Sequence, residues 1–240
     1  MRICLIGYGK MGKAIEHIAL ERGHQISGRI SNANASDLLP ALKDSDLAIE
    51  FTRPESAIAH LQICAIEKIP VVCGTTGWLK EWDSIKHNIL ENEGALVYSS
   101  NFSVGVQLFF SINKKLAEWM AKHPNYHCSI KEIHHIHKLD APSGTAISLA
   151  NDILQVHPSY KDWQLENSFS DHLLPIQSIR ENEVVGTHFV KYQSEIDEIE
   201  IKHEAFTRTG FAKGAVLAAE WVLDKKGVYT MLDVLDLNAI

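Results

Sequence analysis

The glycine-rich segment at residues 7–12 constrains the fold of this chain more than any other feature. It follows a short apolar run from Ile3 to Ile6 and precedes apolar residues that repeat every three or four positions, as in an amphipathic helix. The pattern G-x-G-x-x-G between a strand and a helix is typical of dinucleotide-binding βαβ units. The six residues are Gly7, Tyr8, Gly9, Lys10, Met11 and Gly12.

The three glycines have separate physical roles in such a loop. Gly7 allows the tight turn, Gly9 lets the backbone approach a pyrophosphate, and Gly12 permits close packing of the helix on the strand. The N-terminus of the helix adds unpaired N–H groups and a positive dipole potential. We therefore expect this segment to bind NADH or NADPH. The alternative is three glycines in an ordinary turn between a strand and a helix.

Cofactor preference is predicted from the residues after the second strand. A dinucleotide loop is usually accompanied by an acidic residue about 20 residues further on, which binds the ribose hydroxyls. Residues 29–32 occupy that region here without an acidic side chain, so nothing repels a 2′-phosphate. Arg29 and Lys10 could supply positive charge to it, and we expect NADPH to be accepted alongside NADH. The alternative is that both side chains face water.

The hydrophobic pattern divides the chain into two parts and predicts an α/β fold. Residues 1–101 alternate short apolar runs with amphipathic stretches, as the βαβ units of a Rossmann-type parallel sheet do. After them, a long helix leads into alternating stretches such as residues 184–192 and 196–203, which predict an α+β domain with a mixed or antiparallel open sheet. The last apolar helix could return to the first domain or cap the second, and its periodicity does not choose.

Charge and hydropathy exclude two classes of partner. The formal net charge is −7, and the 23 lysines and arginines do not cluster into a basic run, which argues against a nucleic-acid surface. No apolar run approaches the ~18 residues that a membrane span needs. We expect a cytoplasmic protein that binds neither nucleic acid nor membrane, in which a local site meets any anionic ligand.

A second informative segment is residues 132–146, where three histidines and a lysine fall within five positions. On a strand, His134 and His135 point to opposite sides and should not share a task. Residues 142–145 predict a helix start, whose hydroxyls and unpaired N–H groups can bind a carboxylate or phosphate. Lys138 adds a compensating charge, and a histidine can exchange a proton near neutral pH. This combination suits reduction of a polarised double bond in an acidic substrate.

Two other interpretations of the histidine run stay open. His134, His135 and His137 could bind a metal ion, although no second ligand cluster at recognised spacing supports a metal site. The run could also lie on the surface without a function. We expect no metal.

The same segment resembles the signature of the dihydrodipicolinate reductase family, namely an acidic residue, paired histidines and H-K-x-D-A-P-S-G-T-A from His137 to Ala146. Four further stretches match the family, so the resemblance covers nearly the whole chain. They are residues 50–54, 74–77, 100–106 and 208–215.

The resemblance implies an NAD(P)H-dependent oxidoreductase that acts on a CH or CH2 group. Such an enzyme transfers a hydride to dihydrodipicolinate, a cyclic dicarboxylate imine, and gives tetrahydrodipicolinate in the diaminopimelate route to lysine. The resemblance also implies a dinucleotide-binding domain at residues 1–101, which the chain rejoins at about 208–240. Residues 102–207 would then form a substrate-binding and oligomerisation domain that builds a homotetramer.

Individual roles are implied by the same resemblance. His134 would be the proton donor or acceptor, and Lys138 would be a second proton donor that also holds substrate. The residues implied to bind the substrate carboxylates are His135, Ser143, Gly144 and Thr145. Those implied to contact the cofactor, besides the glycine loop, are Gly74, Thr75 and Thr76 on the nicotinamide side and Ser99, Ser100, Asn101 and Phe102 in an interdomain hinge.

Two departures from the family pattern bear on cofactor preference rather than on the reaction. The glycine loop is one residue shorter than the commonest form, with Lys10 where arginine is usual, and the acidic residue after the second strand is absent. The rival functions are a nucleotide-sensing binding protein without catalysis and another dinucleotide-linked enzyme, such as an amino-acid dehydrogenase. The presence of both His134 and Lys138 counts against the sensor, and Lys138 with residues 143–145 counts against a substrate without carboxylates.

Overall fold

The computed structural model describes residues 1–165, 172–207 and 209–238, which form two compact units. The first unit is Met1–Val104 with Thr209–Ala239, and the second is Gly105–Arg208. Arg208 and the last two residues of the chain, which belong to the predicted returning segment, lie outside the described residues.

Strands and helices alternate along most of the chain. The strands are β1 (Arg2–Ile6), β2 (Gln25–Ile30), β3 (Leu47–Glu50), β4 (Val71–Cys73), β5 (Ala95–Tyr98), β6 (His127–His134), β7 (Asp162–Leu165), β8 (Leu173–Arg180), β9 (Gly186–Gln193), β10 (Glu198–Ala205) and β11 (Gly227–Thr230). The helices are α1 (Lys10–Glu21), α2 (Leu38–Lys43), α3 (Pro54–Ile66), α4 (Trp82–Glu91), α5 (Val104–Met120), α6 (Gly144–Val156), α7 (Thr209–Val222) and α8 (Met231–Val234). Two 3₁₀ helices, Asn32–Asp37 and Leu79–Glu81, precede α2 and α4. Within the described ranges, no helix combines the length and apolar character needed to cross a membrane.

The six strands of the first unit are all parallel, in the order β11-β5-β4-β3-β1-β2. The four inner strands, β1, β3, β4 and β5, are largely apolar and buried because helices cover both faces of the sheet. One core contains Ile15 of α1 and Val216 of α7, and the core on the other face contains Leu61 of α3 and Ile85 of α4. The predicted Rossmann-type sheet is confirmed, and the last long helix, α7, packs on this unit.

Parallel pairing places the carboxyl ends of these strands at one edge of the sheet. The loops that follow β1 to β5 therefore emerge side by side, where doubly wound sheets bind nucleotides. Residues 7–12 follow β1, residues 31–35 follow β2, and residues 51–53 follow β3. The loops after β4 and β5 contain the other residues predicted to contact the cofactor.

The second unit has a mixed five-stranded sheet in the order β10-β9-β6-β8-β7. β9 pairs antiparallel with β6 and with β10, whereas β8 runs parallel to β6 and β7. Helices α5 and α6 contribute Leu116 and Ile153 to a core that also contains Tyr192 of β9. The predicted second domain with a mixed sheet is confirmed, and the sheet includes β7 and β8, which the hydrophobic pattern did not indicate.

Strand β6 positions the histidine cluster. Its alternate residues are buried, so Cys128, Ile130, Glu132 and His134 share the buried face of the strand. The first two belong to the apolar core. A buried carboxylate and a buried imidazole cost free energy unless they are paired, so the partners of the other two side chains define the site.

Candidate active site

Glu132 is the centre of a buried polar cluster in the second unit. Its side chain is fully buried, and Oε1 accepts hydrogen bonds from the Ser143 backbone N–H at 3.2 Å and from Arg180 Nη2 at 3.1 Å. Oε2 lies 2.7 Å from His134 Nδ1. Burial by itself raises the pKa of this carboxyl, but the contacts with His134 and Ser143 outweigh burial and hold the pKa well below its usual range. Glu132 is therefore a carboxylate at neutral pH.

His134 meets this carboxylate from the end of β6. Because Nδ1 faces Glu132, a neutral His134 ring carries its proton on Nδ1, and Nε2 is the nitrogen left to exchange a proton with a ligand. Gly186 of β9 lies on the Nε2 side, where a Cβ would be 3.0 Å from Nε2. Because Gly186 has no side chain, the space beside His134 Nε2 is left open to a ligand.

A second buried histidine, His188 of β9, belongs to the same cluster. Its ring packs edge-on against His134 with centroids 5.0 Å apart, and its Nε2 lies 3.1 Å from Ser143 Oγ. Burial and the neighbouring His134 lower the pKa of His188 to about 3. His188 is therefore neutral at physiological pH, which makes it a hydrogen-bond partner rather than a proton donor.

Arg180, at the end of β8, ties the cluster to the loop between β6 and α6. Nη2 donates both to Glu132 and, at 2.6 Å, to the carbonyl oxygen of Asp140. Nε lies 3.4 Å from the carbonyl oxygen of Lys138. The guanidinium thus compensates the buried carboxylate charge and holds two carbonyl groups of one loop. The loop is thereby fixed relative to Glu132.

Three residues predicted to bind substrate lie at the start of α6. Ser143 is the N-cap, and its hydroxyl accepts a hydrogen bond from the Ala146 N–H at 3.2 Å. Gly144 and Thr145 begin the first helical turn, and a Cβ at Gly144 would meet nothing within 4 Å. Because the first turn of a helix has unpaired N–H groups, this end of α6 suits an anion.

Lys138 and His135 lie in the preceding loop, in surroundings different from those of His134. Lys138 Nζ donates to both carboxylate oxygens of Asp140, at 2.8 Å each, and its side chain is 21% exposed. The ring of His135 lies 6.2 Å from the ring of His137. The adjacent histidines 134 and 135 therefore have different neighbours, one in the buried cluster and one in the loop.

The composition of the buried cluster is also that of a possible metal site, since ligand atoms of Glu132, His134 and His188 lie within 4.8 Å of one another. However, Glu132 Oε1 already binds Ser143 and the positive guanidinium of Arg180. A divalent cation would have to displace hydrogen bonds and would lie beside a positive charge. The three side chains are therefore engaged with one another, with Ser143 and with Arg180, and of the three histidines that the sequence suggested as ligands only His134 belongs to this group.

In the first unit, the glycine loop forms one wall of a cavity of about 800 Å³. Gly7 has φ +99°, and a Cβ there would overlap the carbonyl group of Phe51. A Cβ on Gly12 would overlap the carbonyl oxygen of Gly7. At Gly9, by contrast, a Cβ would meet nothing within 4 Å, so the backbone at the start of α1 faces open space.

The cavity fits a dinucleotide by position and by chemistry. Its lining comes from the loops after β1, β2 and β3 and from α3, and it includes Tyr8, Ser31, Asn32, Thr52, Arg53 and His60. The start of α1 provides N–H groups without a side-chain cap, and the open space at Gly9 lets a pyrophosphate approach them. The residues present therefore fit NADH or NADPH.

The predicted cofactor residues after β4 and β5 lie at the same edge but outside the lining of this cavity. Thr75 Oγ1 accepts from the Thr52 N–H at 2.7 Å, which joins the loops after β3 and β4. Ser99 Oγ donates to the Asn101 carbonyl at 2.6 Å and shapes the turn after β5. Gly74, Thr76 and Ser100 belong to the same two loops.

Three further predicted residues have other surroundings. Phe102 is buried, with its ring 5.8 Å from that of Phe51, so its side chain belongs to the core. Met11 packs against the same core, whereas Lys10 is exposed at the start of α1. Arg29, which the sequence suggested as a counter-charge for a 2′-phosphate, is bonded to Glu16 of α1, with Nε 2.8 Å from Oε1.

Sequence reasoning missed Arg180, His188 and Gly186, and it treated Glu132 only as part of a signature. In the paired strands, Glu132 lies opposite His188 and His134 lies opposite Arg180. Strand register between distant segments is not visible in a local pattern. Glu132 alone had a usable signal, because it stands two residues before His134 and so shares its face of the strand.

Comparison with known proteins covers both units. The model of the dihydrodipicolinate reductase N-terminus matches residues 1–102, and that of the C-terminus matches residues 105–235. The 4-hydroxy-tetrahydrodipicolinate reductase of Christiangramia forsetii is 46% identical over 239 residues, which are 98% of this chain and 98% of the relative. The enzyme of that name from Neisseria meningitidis serogroup B is 34% identical over 238 residues, with 94% of this chain and 87% of the relative covered.

Solved structures agree on the fold. A dipicolinate-bound dihydrodipicolinate reductase from Paenisporosarcina sp. TG-14 superposes with a TM-score of 0.77 at 22% identity, covering 97% of this chain and 98% of that one. A probable dehydrogenase from Thermotoga maritima gives a TM-score of 0.56 at 11% identity, covering 99% and 93%. From the matches of both family models and the full-length relatives, the chain belongs to the dihydrodipicolinate reductase family.

Proposed function

We propose that this chain is a 4-hydroxy-tetrahydrodipicolinate reductase, which reduces dihydrodipicolinate to tetrahydrodipicolinate with NADH or NADPH in the diaminopimelate route to lysine. The full-length relative of that name, 46% identical, supports the reaction. The observation that carries the mechanism is the buried pair of Glu132 and His134, with Oε2 and Nδ1 2.7 Å apart. It provides a proton-exchanging group in the same unit as an anion-binding helix start.

Conversion of dihydrodipicolinate to tetrahydrodipicolinate reduces the C=C bond conjugated with the ring imine, so it needs a hydride at carbon and a proton for the enamine anion that results, and the ring C=N bond is restored in the product. When bound, the reduced nicotinamide supplies the hydride. His134 supplies the proton from Nε2, since Glu132 holds Nδ1 and Gly186 leaves room beside Nε2. The Glu132 carboxylate stabilises the positive charge that the ring carries before it gives up the proton.

The substrate carboxylates are assigned to His135, Ser143, Gly144 and Thr145. The backbone N–H groups of the first turn of α6 and the Thr145 hydroxyl support this assignment, because they are donors that a carboxylate can accept from. The Ser143 N–H and hydroxyl are already bonded to Glu132 and His188. Lys138 is assigned as a second proton donor that also holds a carboxylate. Its position in the loop that Arg180 fixes, shortly before the start of α6, supports the assignment, and a substrate carboxylate would replace or share Asp140 as the partner of the ammonium group.

The cofactor is assigned to three loops at one edge of the parallel sheet. Residues 7–12 bind the pyrophosphate, residues 74–76 line the nicotinamide side, and residues 99–102 touch the cofactor where the chain leaves the first unit. The cavity at the glycine loop supports the first of these assignments. The shared position of the loops after β4 and β5 supports the others.

We also propose that the second unit builds a homotetramer and that the enzyme works in the cytoplasm. Large apolar side chains are exposed on this unit, including Trp119 of α5, Ile199 of β10 and Phe206, which a subunit interface would cover. The four cysteines are buried free thiols, as expected in a reducing compartment. Sedimentation velocity of the purified chain measures the oligomeric state, and a stable monomer at micromolar concentration contradicts the tetramer.

The direct test of the reaction is oxidation of NADPH, followed by absorbance, with the condensation product of pyruvate and aspartate semialdehyde as substrate. We expect turnover with this substrate and none when either precursor is omitted. Dinucleotide binding without turnover would favour a nucleotide sensor instead.

Substitutions of Lys138 distinguish a lysine that binds substrate from a solvent-exposed lysine without a role in the reaction. We expect Lys138→Met to lower kcat/KM by about tenfold or more, because it removes a charge-assisted hydrogen bond and a proton source. Lys138→Arg keeps the charge and should restore binding better than turnover. The matched control is Lys161→Met, which removes an exposed lysine of the same unit and should change activity less than about twofold.

The inhibitor pyridine-2,6-dicarboxylate isolates the binding contribution of Lys138. It carries two carboxylates and has no reducible imine, so its inhibition constant reports binding alone. Equal inhibition of the unchanged chain and of Lys138→Met would remove Lys138 from the carboxylate site.

A further inference from the structure

Three side chains form a charged cluster beside the dinucleotide cavity. Glu16 of α1 accepts a hydrogen bond from the Tyr8 hydroxyl at Oε2, and its Oε1 accepts from both Nε and Nη2 of Arg29. The Arg29 guanidinium also lies 5.9 Å from the centre of the Tyr8 ring. The Glu16 side chain is only 13% exposed, whereas that of Arg29 is 46% exposed. The acid is thus enclosed by its two partners.

This cluster lies where the fold distinguishes NADH from NADPH. Tyr8, Ile30 at the end of β2 and residues 31–33 after it line the cavity, and Arg29 precedes Ile30 in the chain. In this fold an acidic residue after the second strand binds the ribose 2′-hydroxyl, whereas a nearby arginine accommodates a 2′-phosphate. Ser31 and Asn32, which follow β2 here, are neutral. The Arg29 guanidinium lies 5.9 Å from the ring of Tyr8, which lines the cavity, so Arg29 is a cation beside the region where this fold binds the ribose.

The ion pair with Glu16 weakens the ability of Arg29 to bind an anion. The hydrogen bonds from Arg29, more than the bond from Tyr8, lower the pKa of Glu16, so the acid is ionised at neutral pH. An ionised carboxylate in contact with the guanidinium offsets its charge and occupies two of its donors. The charged side chains in the cavity lining itself are Arg53 and Glu55, which have opposite signs.

We propose that Glu16 limits the selectivity of this chain for NADPH by holding Arg29 in an ion pair beside the cavity. The inference rests on the proposed function, because it concerns the ribose end of the cofactor. A 2′-phosphate has to compete with the Glu16 carboxylate for the guanidinium, whereas a 2′-hydroxyl does not. Glu16 is thus a specificity-determining residue that acts through Arg29.

The test is binding of two pairs of ligands to Glu16→Gln, measured by calorimetry without substrate. Glutamine keeps the size of the side chain and an acceptor for the Tyr8 hydroxyl, so the loop should keep its conformation. We expect NADPH to bind about fivefold to tenfold more tightly than to the unchanged chain, because a charge-assisted contact becomes available at a partly exposed site. NADH should change less than about twofold.

The shorter pair, adenosine 2′,5′-bisphosphate and adenosine 5′-monophosphate, should show the same contrast. These two probes differ in the 2′-phosphate alone, so their affinity ratio isolates its contribution. The gain for the 2′-phosphate should also shrink as salt rises, because ions screen a partly exposed charge pair.

Two control variants test whether a tighter binding of NADPH to Glu16→Gln comes from the release of Arg29. Glu21→Gln makes the same charge change on the same helix, at an exposed acid that pairs with His17, and should leave the affinity ratio unchanged. Glu16→Gln combined with Arg29→Met should lose the gain for NADPH. A gain that persists without Arg29, or an equal gain in Glu21→Gln, overturns the proposal, as does an unchanged ratio in Glu16→Gln.

Failure of this inference can be told apart from failure of the proposed function. If the unchanged chain binds neither dinucleotide, the proposed function fails and the role of Glu16 fails with it. If both dinucleotides bind and the ratio does not respond to Glu16→Gln, the role of Glu16 alone is wrong.

Discussion

The glycine-loop site and the Glu132 site are built from different parts of the chain. At the glycine loop, consecutive residues supply backbone N–H groups at the start of a helix, and the absence of side chains makes room for a ligand. At Glu132, side chains from three strands and a helix start meet in a buried cluster. The first site is local in sequence, and the second depends on strand pairing between distant segments.

Because of this difference, the two sites should be sensitive to different changes in sequence and pH. A backbone site depends on which positions lack a side chain, and protonation changes it little. A buried cluster of titratable side chains depends on the charge of each member, so single substitutions and pH should disturb it strongly. Substitutions at each site and a change of pH test that contrast.

The largest effect is expected at His134. Replacement by glutamine removes the proton donor but keeps a polar side chain, so kcat should fall by about 100-fold or more, with a smaller change in KM. Steady-state kinetics with the condensation product and NADPH measure this. The matched control is His137→Gln, since His137 is an exposed member of the same histidine run and should leave kcat within about twofold. An unchanged kcat in His134→Gln removes this residue from the mechanism.

A smaller effect, on binding rather than turnover, is expected at Gly9. Alanine there meets no protein atom within 4 Å, so stability should change by less than about 1 kcal/mol, but the methyl group would occupy the approach to the backbone N–H groups. We expect affinity for NADH and NADPH to fall about tenfold, as measured by fluorescence titration. Gly12→Ala should lower both affinity and stability, because its Cβ overlaps the Gly7 carbonyl. A Gly9→Ala variant with unchanged affinity would mean that the ligand does not approach this backbone.

The pH dependence of stability should come from the second unit. His188 has a pKa of about 3 in the folded chain, against the ordinary histidine pKa of about 6.5 in the unfolded chain, so between these pH values the unfolded chain binds more protons. The free energy of unfolding therefore falls as pH drops below about 6.5, by at most about 1.4 kcal/mol per pH unit for one such group. Burial lowers the pKa of His157 and His203 as well, and these rings add to the same slope.

Denaturant unfolding between pH 7 and pH 5 measures this slope, and amide hydrogen exchange locates it. Exchange in β6 should accelerate more than exchange in β1 as pH falls, after correction for the intrinsic rate. His188→Gln should flatten the slope, whereas His17→Gln, at an exposed histidine of the first unit, should not. Equal slopes for the two variants would mean that the buried cluster does not carry the acid sensitivity.

The smallest effect is expected at Thr145. Its hydroxyl is one of several donors at the start of α6, and the helix N–H groups remain after its removal, so Thr145→Ala should weaken pyridine-2,6-dicarboxylate binding by about threefold to tenfold. The matched control is Ser148→Ala on the same helix, whose hydroxyl donates to the Gly144 carbonyl at 3.0 Å. Loss of dinucleotide binding in Thr145→Ala would contradict the assignment of this residue to the substrate.

The two sites also differ in how far the sequence predicted them. The glycine loop was predicted as one segment, because the turn, the close packing and the helix start are all local requirements. For the cluster, the sequence indicated His134 and the start of α6 but not Arg180 or His188. Their positions follow from the pairing of β6 with β8 and β9, which brings together residues 48 and 45 positions apart along the chain, Glu132 with Arg180 and Ser143 with His188.

The partners of charged side chains were the least predictable feature. Arg29 was expected to meet a 2′-phosphate or face water, and Lys138 was expected to hold a substrate carboxylate. The structure pairs them with Glu16 and Asp140. Lys138 and Asp140 are two residues apart, yet a loop has no regular geometry that would predict the contact. Glu16 and Arg29 are thirteen residues apart on a helix and the following strand, and the packing of α1 beside β2 decides their distance.

By itself, the sequence determined the parallel-sheet unit, the position of the dinucleotide loop and the family to which the chain belongs. These follow from local periodicity, from glycines at positions that exclude a side chain and from a dense signature at residues 132–146. The tertiary structure alone decided the mixed order of the second sheet, the buried carboxylate network around Glu132 and the neutral state of His188. The reason is physical, because strand register, burial and charge pairing depend on which distant segments pack together.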